Sequence, residues 1–194
     1  MPISRVCVYC ASSRSCDPAY RDAAARLGRE LARNRIAIAY GGGRIGSMGQ
    51  LADAALAEGG RVIGVIPRFM YDIEWGHPKL SEMLIVEDMH QRKRAMIDAA
   101  DAVIALPGGS GTLEELFEAI SLKRLGLFGG AIVMVDTLGF YTELRNLLDE
   151  CIERRFMDER HRAMWTIVAE PEQVLDAIRT APPWPHRNRD FAAV

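Results

Sequence analysis

Ala102-Val103-Ile104-Ala105-Leu106-Pro107-Gly108-Gly109-Ser110-Gly111-Thr112-Leu113-Glu114-Glu115 reads as a strand, a glycine turn and a helix start in direct succession. Ala102 to Leu106 is a short apolar run, Pro107 ends it, and a helix-like stretch covers 112–124. Glycine permits left-handed backbone angles and close approach by a ligand. A helix start leaves N–H groups free, and anionic oxygens, phosphate above all, suit that geometry.

The same grammar recurs along the chain. Val6 to Tyr9, Ile36 to Tyr40, Arg61 to Ile66 and Ala131 to Val135 are further strand candidates, with Trp165 to Ala169 a weaker last member. Helix-like stretches lie near 18–33, 48–58, 90–100, 140–154 and 171–180, with apolar positions at three- or four-residue intervals. Pro18 and Pro171 suit early helix positions, and Gly59-Gly60 and Gly126 suit exits. Alternation of this kind predicts an α/β fold, a mostly parallel sheet with helices on both faces. We assign 1–181 to a single catalytic domain and 182–194, which opens Pro182-Pro183-Trp184-Pro185-His186, to an irregular tail.

With 194 residues, 49% hydrophobic and 26% charged, the chain has the composition of one folded domain. A formal net charge of -2 gives no global field for a nucleic acid polymer. The apolar runs are too short to cross a bilayer, and Met1-Pro2-Ile3-Ser4-Arg5-Val6 has no secretory pattern, so the expected location is cytoplasmic. Cys7 and Cys10 have CxxC spacing, but Cys7 falls in a strand and no clear helix follows; buried thiols are favoured over metal or redox work. The histidines His77, His90, His161 and His186 are scattered, and no metal site is expected.

A second glycine turn, Gly41-Gly42-Gly43-Arg44-Ile45-Gly46-Ser47-Met48-Gly49, follows the strand ending at Tyr40. Its spacing is neither GxGxxG nor a P-loop ending in GK[ST], which argues against ordinary ATP hydrolysis. Ser47 is a candidate helix cap, and a tight turn with no ligand is the alternative. For Thr112 and Glu115 the competing reading is a capping box; it leaves Gly108, Gly109 and Gly111 unexplained. The connection Pro67 to Lys79, with Trp75, Gly76 and His77, is either a packed surface loop or a cover over the carboxyl ends of the strands.

Arg92 and Lys93 sit near a predicted helix start, where the helix dipole disfavours cations, so a carboxylate- or substrate-facing role competes with a solvated pair. Combined with a phosphate cradle, Arg92 and Glu115 suit cleavage of an N-glycosidic bond. Positive charge develops on the sugar as the base leaves; a carboxylate stabilises it or orients water, and a cation positions the carboxylate or an anion. Glu74 becomes a sugar or base contact if its loop folds over the cleft.

The sequence resembles the LOG family, the cytokinin riboside 5'-monophosphate phosphoribohydrolases, over about Val6 to Ala177. The resemblance rests on the Gly41 to Gly49 turn, on Met89-His90-Gln91-Arg92-Lys93, and on Pro107 to Glu115, in that order and separation. It implies a Rossmann-like fold, a homodimer, and hydrolysis of an adenine-type nucleoside 5'-monophosphate to free base and ribose 5-phosphate, without a cofactor. Arg92 and Glu115 are then the catalytic pair. Substrate contacts fall to Ser12, Gly42, Gly43, Gly46, Met48, Glu74, Met89, Lys93, Gly108, Gly109, Gly111 and Thr112. Two positions depart from the family pattern: Ala11 where a glycine is frequent, and Ser47 where leucine is common.

Two other functions compete. Similar chains have carried a lysine decarboxylase label, but that chemistry needs an electron sink, normally on a reactive lysine. Only Lys79, Lys93 and Lys123 are available, none in such a setting. A non-catalytic nucleotide-binding or carrier protein is the stronger rival, since it needs the glycine turns but no positioned water.

Overall fold

The computed structural model describes residues 3–73 and 75–184. Seven strands form one sheet: β1 (Arg5–Tyr9), β2 (Ala37–Tyr40), β3 (Val62–Pro67), β4 (Glu82–Val86), β5 (Ala102–Ala105), β6 (Ala131–Val135) and β7 (Trp165–Val168). Their order is β4-β3-β2-β1-β5-β6-β7, and every pairing is parallel. The helices are α1 (Pro18–Arg33), α2 (Gly46–Ala57), α3 (Arg68–Asp72), α4 (Met89–Ile97), α5 (Ser110–Arg124), α6 (Thr142–Glu153) and α7 (Val174–Thr180).

Alternation along the central strand explains the layers. Val6, Val8 and Cys10 join one buried cluster with α1, α2 and α7 residues such as Leu27, Leu51 and Leu175. Cys7 and Tyr9 join the other, with Met96 of α4, Leu116 and Ile120 of α5, and Leu148 of α6. Successive strand residues face opposite ways, so both faces are apolar and both need a helical cover. The same geometry separates Cys7 from Cys10; all four cysteines are free thiols.

β4 is the strand the sequence reading missed. It lies at the sheet edge, and its Glu82 and Leu84 are exposed, so the fully apolar run seen in β3 is absent. β3 itself begins one residue later than expected and runs through Pro67, whose missing N–H is tolerated at a strand end. Pro182 to Trp184 have no regular secondary structure, yet the Trp184 ring is buried in the second cluster and its indole donates to the Lys123 carbonyl at 2.7 Å. The remainder of the tail, from Pro185, lies outside the described residues.

β1 occupies the centre, with its successor β2 on one side and β5 on the other. Connections therefore leave the carboxyl ends of β1 and β5 in opposite directions and open a crevice between them, where ligands enter such sheets.

Candidate active site

A cleft of about 610 Å³ lies along this crevice. It is lined by residues following β1 (Cys10 to Ser13), the first glycine turn after β2, Ile66 of β3, Met70 and Trp75, Met89 and Arg92 of α4, and Gly109 to Thr112 with Glu115 of α5. Chain order and sheet order together give the cleft a direction. The α5 start is at the β5 end; Met48, Ile66, Met70, Trp75 and Met89 gather towards β3 and β4. A larger hollow of about 1010 Å³ lies at the opposite ends of the strands, beside Ile3, Asp101 and Ala131, and among the described residues it receives none of those predicted for the site.

Arg92 bridges the middle of the cleft from below. Its Nε donates to the Val65 carbonyl at 3.1 Å and Nη2 donates to the Gly41 carbonyl at 2.9 Å. Gly41 has to be bare here, because a β-carbon would stand 2.0 Å from Nη2. These bonds to two strand-end carbonyls offset the cost of burying a guanidinium and fix its plane. Its Nη1 stands 3.7 Å from Glu115 Oε1, an ion pair beyond hydrogen-bond distance.

Glu115, one turn into α5, is 4% exposed. Loss of water pushes its carboxyl up from the ordinary 4.5 to about 7, against the downward pull of Arg92; Glu114 raises it further, Lys93 opposes and Glu118 adds to the rise. A carboxylate poised near neutrality in a cleft is the kind of group that does chemistry.

The start of α5 rejects the capping-box reading. The helix begins at Ser110, two residues before Thr112; Gly109 is the cap residue, and among the described residues no side chain caps the free amides. A β-carbon at Gly109 or Gly111 would meet nothing within 4 Å. Gly109 has φ -84, which any residue adopts, so neither packing nor strain accounts for it. Empty space over uncapped amides is what an anion's approach requires. Gly108 is different: a β-carbon there would strike Thr112 Oγ1 at 2.2 Å, so it makes room for the buried threonine.

Not every predicted contact reaches the cleft. Ser12, Gly43, Met48, Met89, Gly109, Gly111 and Thr112 line it with Arg92 and Glu115; Gly42, Gly46 and Gly108 are not among its lining residues and pack against protein atoms instead. Lys93 turns away, pairing with Glu114 and, at 3.1 Å, with Glu118 on the outer side of α5. Glu74 lies outside the described residues. Ser47 is not a cap: α2 starts at Gly46, and the Ser47 hydroxyl, fully buried, donates to the Tyr20 carbonyl at 3.4 Å. That departure from the family pattern therefore faces α1, whereas Ala11 lines the cleft and accepts from the Met48 N–H at 3.0 Å.

Two tyrosines escaped the sequence reading. The Tyr40 hydroxyl donates to Gly43 O at 3.0 Å, and Tyr141 donates to Leu106 O at 2.8 Å, so each glycine turn is pinned by a buried phenol. Tyr40 closes a strand with a polar tip beside a turn, a legible signal; Tyr141 is distant in sequence and gave none.

These features define a Rossmann-like α/β protein whose crevice holds a buried acid beside a buried guanidinium, next to an uncapped helix start. The solved molybdenum cofactor carrier protein of Chlamydomonas reinhardtii shares this fold, with TM-score 0.70, 17% identity, and coverage of 93% of this chain and 98% of that one. The family model described as "Possible lysine decarboxylase" matches residues 48–178. Over 179 residues the chain is 38% identical to the probable cytokinin riboside 5'-monophosphate phosphoribohydrolase LOGL6 of Oryza sativa subsp. japonica, covering 92% of this chain and 72% of that protein. It is 42% identical over 168 residues to cytokinin riboside 5'-monophosphate phosphoribohydrolase LOG3 of Arabidopsis thaliana, covering 86% and 77%. The chain belongs to the LOG family.

Proposed function

We propose that this protein hydrolyses the N-glycosidic bond of adenine or N6-prenyladenine nucleoside 5'-monophosphates, releasing free base and ribose 5-phosphate. The observation that carries the reading is the buried Arg92–Glu115 pair beside the bare, uncapped start of α5. The 5'-phosphate binds the amides of Gly109 to Thr112, where helix dipole and free N–H groups favour negative charge. Glu115 then faces the sugar, stabilises the positive charge that develops at the anomeric carbon and orients water. Arg92, held by two carbonyls, sets the position of Glu115. Gly43 forms part of the wall, while Gly42, Gly46 and Gly108 serve the packing of the two turns; Ser12, Met48 and Met89 contact the substrate, and Lys93 holds α4 to α5 through Glu114 and Glu118. No cofactor takes part, and the working unit is a homodimer.

A carrier would share the amide cradle but has no use for a buried carboxylate with a raised pKa. Decarboxylation through a lysine-bound cofactor is not favoured by the lysines: Lys93 is ion-paired outside the cleft, Lys123 is buried with Nζ on the Gly130 carbonyl at 2.6 Å, and Lys79 is exposed.

The test incubates purified protein with AMP and N6-isopentenyladenosine monophosphate and measures free base and ribose 5-phosphate. Release of both products supports the hydrolase. Tight nucleotide binding with no release from either substrate identifies the carrier. The matching nucleosides, lacking phosphate, are expected to react at least about a hundredfold more slowly, since the cradle then has nothing to hold.

A further inference from the structure

Past Ala105 the β5 ladder stops, and the chain passes through Leu106 and Pro107 into the glycines that open α5. Leu106 is fully buried; its N–H donates to the Tyr9 carbonyl at 2.9 Å, and its own carbonyl accepts from the Tyr141 hydroxyl at 2.8 Å. Tyr141 directly precedes α6 and is fully buried as well. Its N–H donates to Asp136 Oδ1, and the Phe140 ring meets its ring edge-on at 5.1 Å between centroids. Burial pushes the Tyr141 phenol well above its ordinary 10, and Cys10 and Asp136 push the same way, so the hydroxyl keeps its proton and donates it.

Between Gly108 and Gly111 the one side chain is that of Ser110, which is exposed. Side-chain anchors lie at the two ends of this stretch: buried Thr112 stands over Gly108, and buried Pro107 follows the carbonyl that Tyr141 holds. Among the described residues the Tyr141 hydroxyl is the one donor on the Leu106 carbonyl. The first glycine turn has a bond of the same kind, from the Tyr40 hydroxyl to the Gly43 carbonyl at 3.0 Å. There, however, Arg92 Nη2 also holds the Gly41 carbonyl, the His77 N–H holds the Gly42 carbonyl at 2.9 Å, and the Arg44 N–H is bound to the Trp75 carbonyl at 3.3 Å. Losing one phenol leaves the first turn with three other bonds.

Resting on the reading of this cleft as a nucleotide site, we propose that Tyr141 is a positioning residue for the substrate's 5'-phosphate. It acts through the Leu106 carbonyl, fixing where β5 ends and so where the amides of Gly109 to Thr112 point. A cradle built of backbone amides depends on their placement, because hydrogen bonds weaken steeply with misalignment. Removing the hydroxyl strips a buried carbonyl of its donor; the carbonyl shifts to find another, and the amides that follow it shift with it. Tyr40, on a turn with other supports, does not set the phosphate.

The experiment measures kcat, KM and calorimetric dissociation constants for AMP and adenosine in wild type, Tyr141→Phe, Asp136→Ala and Tyr40→Phe. Wild type is expected to prefer AMP. Tyr141→Phe cuts that preference about tenfold, through KM and dissociation constant with kcat on AMP little changed, as loss of uniform phosphate binding requires. Asp136→Ala frees the Tyr141 backbone with the phenol still present and loses part of the preference. Tyr40→Phe deletes a matching phenol–carbonyl bond and keeps the AMP-to-adenosine ratio within about twofold of wild type. A merely structural phenol would weaken both substrates alike. Equal losses on AMP and adenosine in Tyr141→Phe, the same fall of the ratio in Tyr40→Phe, or no preference in wild type overturn the proposal. Should Tyr141→Phe fail to fold, an unchanged ratio in Asp136→Ala overturns it. The binding arm separates it from the hydrolase reading: a ratio of dissociation constants lost in Tyr141→Phe, with no base released by wild type, sinks the hydrolase and leaves Tyr141 standing, while base release with an unchanged ratio does the reverse.

Discussion

At Gly41 an added β-carbon would stand 2.0 Å from the Arg92 guanidinium, at Gly46 it would strike the Ser13 carbonyl at 2.4 Å, and at Gly49 the Arg44 carbonyl at 2.3 Å. At Gly109 and Gly111 it would meet nothing within 4 Å. The two glycine turns border one cleft and look alike in sequence, but their glycines are bare for different reasons. In the first turn protein atoms already occupy the space, and Gly42 and Gly46 also take positive φ, so the turn is internal architecture. In the second, at Gly109 and Gly111 though not at Gly108, the space is open above free amides, so the residue type answers to something outside the chain.

Four substitutions or titrations bear on this contrast. Glu115→Gln has the largest expected effect: turnover falls about a thousandfold or more while nucleotide binding persists, because the transition-state charge loses its partner and the α5 cradle is untouched. Single-turnover base release and calorimetry read the two quantities separately. Gly41→Ala comes next. It displaces a buried guanidinium from two carbonyls, and thermal and denaturant unfolding are expected to show a loss of about 2–4 kcal/mol together with lost activity. A native-like unfolding midpoint in Gly41→Ala contradicts the packing account of the first turn.

The third is a pH dependence. In the folded chain Glu115 keeps its proton up to about 7, whereas its ordinary value is 4.5. Between those values the native state holds more protons than the unfolded one, so this group's contribution to stability falls as pH rises. Measured against Glu115→Gln, which lacks the titration, wild type is expected to lose about 2–3 kcal/mol of relative stability between about pH 5 and pH 8. Because the ionised form does the chemistry, kcat/KM rises with pH through about 7. A flat difference between the two proteins removes the raised pKa from the account.

Gly111→Ala has the smallest effect on the fold and the most telling sign. Alanine in the first turn of α5 meets no atom, so stability rises by up to about 1 kcal/mol. The methyl group intrudes where phosphate binds, so KM for the nucleotide rises about tenfold. Stability and binding therefore move in opposite directions at Gly111, and fall together at Gly41.

Much of this was legible in the residues. Strands buried on both faces, such as Val6 to Tyr9 and Ala102 to Leu106, write themselves as continuous apolar runs, and the parallel sheet follows from their alternation with helices. β4 was not legible because an edge strand with exposed Glu82 and Leu84 lacks that run. The pairing of Arg92 with Glu115 could be proposed because each stood out locally, the cation at a helix start and the acid after a glycine turn. Lys93 has the same local signal as Arg92 but points the other way, since neighbouring helical residues lie about 100° apart and only one can face the cleft. The capping box at Thr112 failed because the helix starts earlier than its own pattern suggests. The β-bridge that carries Trp75 to the cleft joins Gly43 to Gly76, and no local pattern encodes a contact over that separation.

The most direct test is a crystal structure of the Glu115→Gln variant with AMP bound. The account predicts the phosphate on the amides of Gly109 to Thr112 and the anomeric carbon within about 4 Å of the residue 115 carboxamide, a separation close enough for a near-attack arrangement in the native enzyme. A phosphate seated elsewhere, with residue 115 turned away from the sugar, would contradict it.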